Sequence, residues 1–281
     1  MGSHSLADDT TPIQHFVLWS ARLMALFAFV CIYLWASGDD TNEGYNGGLV
    51  NWQSENIDLI FNWHPICMML GMMFLGGWGV TAFRLPYLTK EQNKIIHQIC
   101  HVGAVISWGV GLATVYRVNF DEVTVIEDGV EVGTGTYPQT LNSIHAIVGM
   151  MTCIIYFLNF FLGAVAYGFG LVDLDTKKAL MPWHIFLGTY ALMSAFAAII
   201  SGIQRFMTTC NINSAFYPDA SVTEKDWNPA HWYHEMNDGC KLLLGGGLLT
   251  WFAMGFIVLG ISRNFTLPPK AEDKQGLNIE I

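Results

Sequence analysis

Polar and apolar residues segregate along this chain into long blocks. Six apolar runs lie at about 16–37, 60–83, 95–116, 143–168, 183–205 and 241–262. Each is close to the roughly 20 residues that cross a bilayer core as helix. The pattern predicts an all-α membrane protein, a bundle of six transmembrane helices in one domain spanning residues 16–263. Residues 1–15 and 264–281 are then short terminal segments outside the bilayer. The first residues are polar and acidic, and the first run is too long for a signal-peptide core, so no cleavable leader is expected.

Charge orients the bundle. Arg84, Lys90 and Lys94 lie between spans two and three, Lys177 and Lys178 between four and five, and Arg263, Lys270 and Lys274 after span six. The excess of Lys and Arg on that side marks it as cytoplasmic, with both termini there. The opposite side carries Arg117, Arg205, Lys225 and Lys241 among many acids. Only 13% of the 281 residues are charged and 52% are hydrophobic, which excludes an ordinary soluble domain. The formal net charge of −10 gathers on the outer side and argues against a nucleic-acid partner. Cys31, Cys67, Cys100 and Cys153 sit within spans without C-x-x-C spacing and are expected to be small packing residues. Cys210 and Cys240 flank the last outer loop, where a disulfide and two free thiols are both compatible with the sequence. Asn264-Phe265-Thr266 falls on the inner side, where it is not expected to be glycosylated.

Histidines supply the candidate chemistry. His4 and His15 precede span one and are expected to be solvated or interfacial. His231 and His234, in the last outer loop with Glu235, fit no strong metal motif. The remaining five sit inside spans. His64 opens span two, His97 opens span three with His101 one turn further in, His145 opens span four, and His184 opens span five. Spans two and four start outside, so His64 and His145 share a depth. Spans three and five start inside, so His184 shares a depth with His97 or His101. One interfacial histidine is commonly a snorkelling or hydrogen-bonded side chain. Four at equivalent places on consecutive helices point to function. Neutral imidazoles bind zinc, copper or iron. A closed zinc site wants four protein ligands, whereas each face supplies two, or three at most. Two facing imidazoles suit the axial positions of a haem. Gly71, Gly76, Gly77, Gly79, Gly103, Gly109, Gly111, Gly149, Gly163 and Gly188 allow close helix approach and leave room for a flat macrocycle.

These residues resemble the eukaryotic cytochrome b561 family. The resemblance is carried by Phe61-Asn62-Trp63-His64-Pro65, Phe83-Arg84-Leu85-Pro86, Lys94-Ile95-Ile96-His97 followed by His101, Ser143-Ile144-His145, and Leu180-Met181-Pro182-Trp183-His184. It covers about residues 16–263. It implies a homodimer of six-helix chains, each holding two b haems in the four central helices. It pairs His64 with His145 at the outer haem and His97 with His184 at the inner one, leaving His101 as a supporting residue. It implies electron transfer from cytoplasmic ascorbate to monodehydroascorbate or a ferric chelate outside, in the plasma membrane or an endomembrane vesicle. With ligands one turn in from each face, the irons would lie on the order of 20 Å apart.

Ascorbate is a monoanion and wants cations at the inner mouth, where Lys90 and Lys94 share one face at the start of span three. Lys94 stands at the position of the family's lysine before the span-three ligand. Lys177 stands where relatives often carry Arg. Arg84 is a candidate for a haem propionate or substrate. The outer side departs from the pattern. Asn119 stands where relatives usually carry histidine, and Asn142-Ser143-Ile144-His145-Ala146-Ile147 lacks the Tyr and Trp that usually frame the span-four ligand. Outer loops of roughly 118–140 and 207–240 are longer than usual, and Arg117 with the outer carboxylates suits a ferric acceptor slightly better. The rivals are a transporter, which would want broken helices or midplane acids, and a haem-free scaffold acting through its outer loops. Spans two to five contain neither Asp nor Glu.

Overall fold

A computed structural model describes residues 12–52, 54, 57–84, 88–120, 123–127, 130–135, 141–207 and 236–261. Six helices in it are long and apolar enough to cross a membrane. We label them α1 (Pro12–Ser37), α2 (Trp63–Arg84), α3 (Lys90–Phe120), α4 (Ile144–Gly168), α5 (Leu174–Met207) and α6 (Asp238–Ile261). All six expected spans are present. The largest boundary difference is at α5, which begins at Leu174 and runs through Pro182.

Local chemistry sets the helix starts. Thr89 and Gln92 form a reciprocal capping box before α3: Thr89 N–H donates to Gln92 Oε1 at 2.9 Å, and Gln92 N–H donates to Thr89 Oγ1 at 3.2 Å. Ser143 Oγ accepts from Ala146 N–H at 3.2 Å and caps α4 two residues before His145. Asp173 accepts from the backbone N–H and the hydroxyl of Thr176, at 2.8 and 2.9 Å, just before α5. Those bonds, the backbone one foremost, hold its carboxyl below the usual carboxylate range. This cap starts α5 in a polar stretch, ahead of the apolar run on which the sequence reading placed it.

Two helices are not α throughout. In α2 an α segment, Trp63–Met68, gives way to a π segment, Met69–Leu75, then to Gly76–Thr81 and a final 3-10 turn, Ala82–Arg84. The last turn of α4, Ala164–Gly168, is also π. A π turn accommodates an extra residue and shifts the phase of the helix beyond it.

The helices pack mainly as α1 with α6, α2 with α3, and α4 with α5. Their core contains Ala21, Ala28, Ile32, Met72, Met73, Ala104, Ala195 and Ile257. Of the spans, α2 is the most enclosed. Its Gly71 lies where a Cβ would come 2.8 Å from the Ala104 carbonyl, so that contact with α3 requires glycine. Across the central four, α3 barely touches α4. Beside α2, the guanidinium of Arg22 is buried, 3.4 Å from the Thr81 carbonyl and 3.3 Å from its hydroxyl, over the rings of Trp19 and Trp78.

Between α3 and α4 the structure adds an element absent from the sequence reading. Strands β1 (Val123–Glu127) and β2 (Val130–Gly135) pair antiparallel, with a register irregularity between Val125 and Ile126. β-Branched residues on both sides of Asp128-Gly129 are the signal that could have found this hairpin. Cys240 is disulfide-bonded, and the four span cysteines are free. Cys210, His4, His231 and His234 lie outside the described residues.

Candidate functional site

The Phe61–Pro65 motif has a structural half and a chemical half. Buried Asn62 donates to the carbonyls of Asn46 and Gly48 at 2.8 and 2.6 Å, and accepts from Asn46 Nδ2 at 2.5 Å. Trp63 Nε1 donates to the Val50 carbonyl at 2.9 Å. These bonds fasten the α1–α2 connection over the start of α2. They leave His64 one residue further on, facing into the bundle.

His64 meets His145 of α4 with ring centroids 6.1 Å apart and ring planes at 90°. At the other end of the bundle, His97 meets His184 of α5 at 6.2 Å and 72°. A metal–imidazole bond is about 2.0 Å and the ring centre lies about 1.1 Å behind the bound nitrogen. Two imidazoles on opposite sides of one metal would therefore have centres about 6.2 Å apart. Any angle between their planes is allowed, because both planes contain the metal–nitrogen axis.

Hydrogen bonds at Nδ1 support the same geometry. His64 Nδ1 donates to the Gly111 carbonyl at 3.1 Å, His97 Nδ1 to the Gly79 carbonyl at 2.8 Å, and His145 Nδ1 to the Ala198 carbonyl at 2.8 Å. A carbonyl only accepts, so the proton sits on Nδ1 and the lone pair is on Nε2, the tautomer a metal needs. His184 Nδ1 lies 3.0 Å from the side-chain oxygen of Asn159. Each histidine is thus held by the other helix of its own packed pair, α2 with α3 or α4 with α5. It faces the opposite pair.

The acceptors repeat. Gly111, Asn159 and Ala198 each lie fourteen residues after a histidine on the same helix: His97, His145 and His184. Fourteen residues are close to four turns, so both groups share a face about 21 Å apart. On α2 the interval from His64 to Gly79 is fifteen. The π segment between them absorbs the added residue and restores the face.

Glycines press on two of the rings. A Cβ on Gly202 would lie 2.7 Å from His145 Cε1, and one on Gly163 would lie 2.9 Å from His184 Cε1. Two facing helix pairs, little contact between α3 and α4, and imidazole pairs at a two-ligand spacing fit a planar group held by an iron between axial imidazoles. Among the described residues no cluster of three or more His, Cys, Asp or Glu offers a protein-only metal site.

His101 stays out of the facing pairs. Its Nδ1 is 2.5 Å from the Tyr156 hydroxyl, and its ring is 4.3 Å from that of His97. Lys90 and Lys94 are exposed on the first turns of α3, about two turns and one turn before His97. At the same end, the Lys177 carbonyl accepts from Tyr167, whose ring is 5.4 Å from His184. Arg84 donates to the Ile261 carbonyl at 3.0 Å, joining the end of α2 to the end of α6. Arg117 lies at the His64 end. It donates to the Trp52 carbonyl and lies 5.3 Å over the Trp52 ring. Asn119 is in the last turn of α3, and its side chain lies outside the described residues. Sequence reasoning missed Asn159, Tyr156 and Gly202. The signal for Asn159 was a lone amide inside an apolar run.

Fold and site together define an all-helical, multi-pass membrane protein with facing histidine pairs stacked along a four-helix core. The eukaryotic cytochrome b561 family profile matches residues 63–209, which run from the start of α2 past the end of α5. The chain belongs to that family. It is 28% identical over 191 residues to the maize (Zea mays) ascorbate-specific transmembrane electron transporter 2, covering 68% of this chain and 72% of that protein. It is 26% identical over 192 residues to transmembrane ascorbate ferrireductase 1 of Arabidopsis thaliana, covering 68% and 72%. The plasma membrane ascorbate-dependent reductase CYBRD1 of Xenopus laevis is 27% identical over 232 residues, covering 82% and 69%.

Proposed function

We propose that this protein is a transmembrane oxidoreductase that passes single electrons from ascorbate across the bilayer to an acceptor on the far side. The observation that carries the reading is the pair of histidine pairs. Each has the ring separation of two axial ligands, at 6.1 and 6.2 Å, and they lie about four helical turns apart. His64 with His145 and His97 with His184 would each hold one haem b, giving two per chain. Haem supplies a one-electron couple whose potential depends on ligands and burial.

The chain's own residues do the rest. The Nδ1–H bonds to main-chain carbonyls fix the tautomer and orientation of His64, His97 and His145. The apolar faces of α2 to α5 exclude water. Lys90, Lys94 and Lys177 gather positive charge at the His97 end, which suits the ascorbate monoanion. The positive-inside bias makes that end cytoplasmic, with both termini on the same side. Arg117 and Asn119 stand at the outer end, where the acceptor is a ferric chelate or monodehydroascorbate. Two chains associate as a homodimer in the plasma membrane or an endomembrane vesicle.

The test is a redox-difference spectrum of the purified protein with haem counted per chain, followed by stopped-flow mixing with millimolar ascorbate. Two haems per chain, reduced by ascorbate, are expected. A colourless protein would overturn the haem assignment. A coloured protein that ascorbate leaves oxidised would overturn the donor.

A further inference from the structure

We infer that Asn159 is the positioning residue of the inner haem ligand, holding His184 through its side-chain amide where the other three ligands are held by main-chain carbonyls. This rests on the two-haem reading above. In three of four cases the Nδ1 acceptor is a backbone oxygen, at Gly111, Gly79 and Ala198, and a side-chain substitution does not remove it. At the fourth, the group fourteen residues after His145 is an amide. Asn159 is buried, 8% exposed, in the apolar body of α4, with Oδ1 3.0 Å from His184 Nδ1.

The amide has two orientations, and they correspond to two states of the ring. With Oδ1 toward the imidazole it accepts from Nδ1–H and the Nε2 lone pair is left for iron, at the cost of setting Oδ1 3.2 Å from the His184 carbonyl oxygen and the amide nitrogen 3.2 Å from the Gly188 nitrogen. Turned over, its nitrogen donates to the His184 carbonyl at 3.2 Å and to Nδ1 at 3.0 Å, while its oxygen accepts from Gly188 N–H at 3.2 Å. That orientation requires an unprotonated Nδ1 and so puts the proton on Nε2, where it blocks ligation. Gly188 N–H does not need the amide oxygen, because it lies within α5 four residues after His184, where the helix supplies its own acceptor. Ligation of His184 therefore selects the first orientation. A stronger acceptor on Nδ1 makes the ligand more basic and favours ferric iron. Asn159 thus offers a side-chain control on the inner potential that the outer pair lacks.

The experiment is a potentiometric titration and a low-temperature electron paramagnetic resonance spectrum of the full-length protein, unsubstituted and as Asn159→Leu and Asn159→Asp. Leu keeps the size and removes the acceptor. Asp keeps both. For Leu, the inner ferric/ferrous equilibrium is expected to move toward ferrous by up to about tenfold, 59 mV for a one-electron couple, with a changed inner ferric signal. For Asp, the inner potential should stay at or below that of the unsubstituted protein, and the outer haem should be unmoved in both variants. If Leu empties the inner site alone while Asp keeps it filled, the inference also holds. It is overturned if Leu leaves the inner potential and signal unchanged. It is equally overturned if Leu and Asp act alike, or if both haems shift together. An unsubstituted protein lacking an inner haem would instead defeat the two-haem reading itself.

Discussion

Gly202→Ala tests the outer pair without touching a ligand. The added methyl would lie 2.7 Å from His145 Cε1, 3.0 Å from Nδ1 and 3.6 Å from Nε2. Carbon contacts are comfortable at about 3.5–4.0 Å, so the ring must retreat by roughly 1 Å. It has little freedom to do so, because Nδ1 is held at 2.8 Å by the Ala198 carbonyl one turn before Gly202. Retreat breaks that bond and moves Nε2 off its line to His64. Overpacking costs about 1–3 kcal/mol, and a net hydrogen bond about 1 kcal/mol. The sum, about 2–4 kcal/mol, is a roughly 30- to 700-fold loss of haem affinity at that site. The assay is haem stoichiometry per chain, with redox titration to say which haem is retained. One haem, at the inner potential, is expected. Gly163→Ala, with its methyl 2.9 Å from His184 Cε1, should do the reverse. Two haems at unchanged potentials in Gly202→Ala would refute the claim that His145 is locked between α5 and an iron.

Direct removal of ligands should divide the histidines the same way. His64→Ala and His145→Ala should each lose the outer haem and keep the inner, and His97→Ala and His184→Ala the opposite, read by titration of the retained haem; loss of the inner haem in His64→Ala would break the pairing. Lys94→Ala should slow reduction by ascorbate with haem content unchanged, measured by stopped flow, and equal rates would remove Lys94 from the donor site. Tyr156→Phe should keep both haems but leave His101 Nδ1 without the hydroxyl now at 2.5 Å. A cost of about 1–3 kcal/mol for a buried unsatisfied group should lower the temperature at which the haem absorbance collapses, and an unchanged transition would show that water replaces the hydroxyl.

The amino-acid pattern by itself determined the class of fold. Apolar runs long enough to cross a bilayer leave the backbone no satisfied alternative to helix, so six spans were legible from length and composition. Histidines at equivalent depths on four consecutive spans were legible too, because antiparallel connectivity alone sorts them into two faces. Which of His97 and His101 faces α5 was not legible from spacing, since both lie on one side of α3 one turn apart, and only the family resemblance singled out His97. Their separate partners, His184 and Tyr156, depend on how helix pairs rotate against each other. The π segment in α2 was likewise invisible, because its cause is packing rather than residue type. It nevertheless brings Gly79 onto the same face as His64. Asn159 read as one polar residue in an apolar run until α5 laid His184 against it, and Gly202 read as ordinary helix-packing glycine until His145 came to rest on it. Span identity is a local property of about 20 residues in lipid. A ligand's tautomer, its acceptor and its room to move belong to pairs of atoms far apart in sequence, and only the packed bundle brings those atoms together.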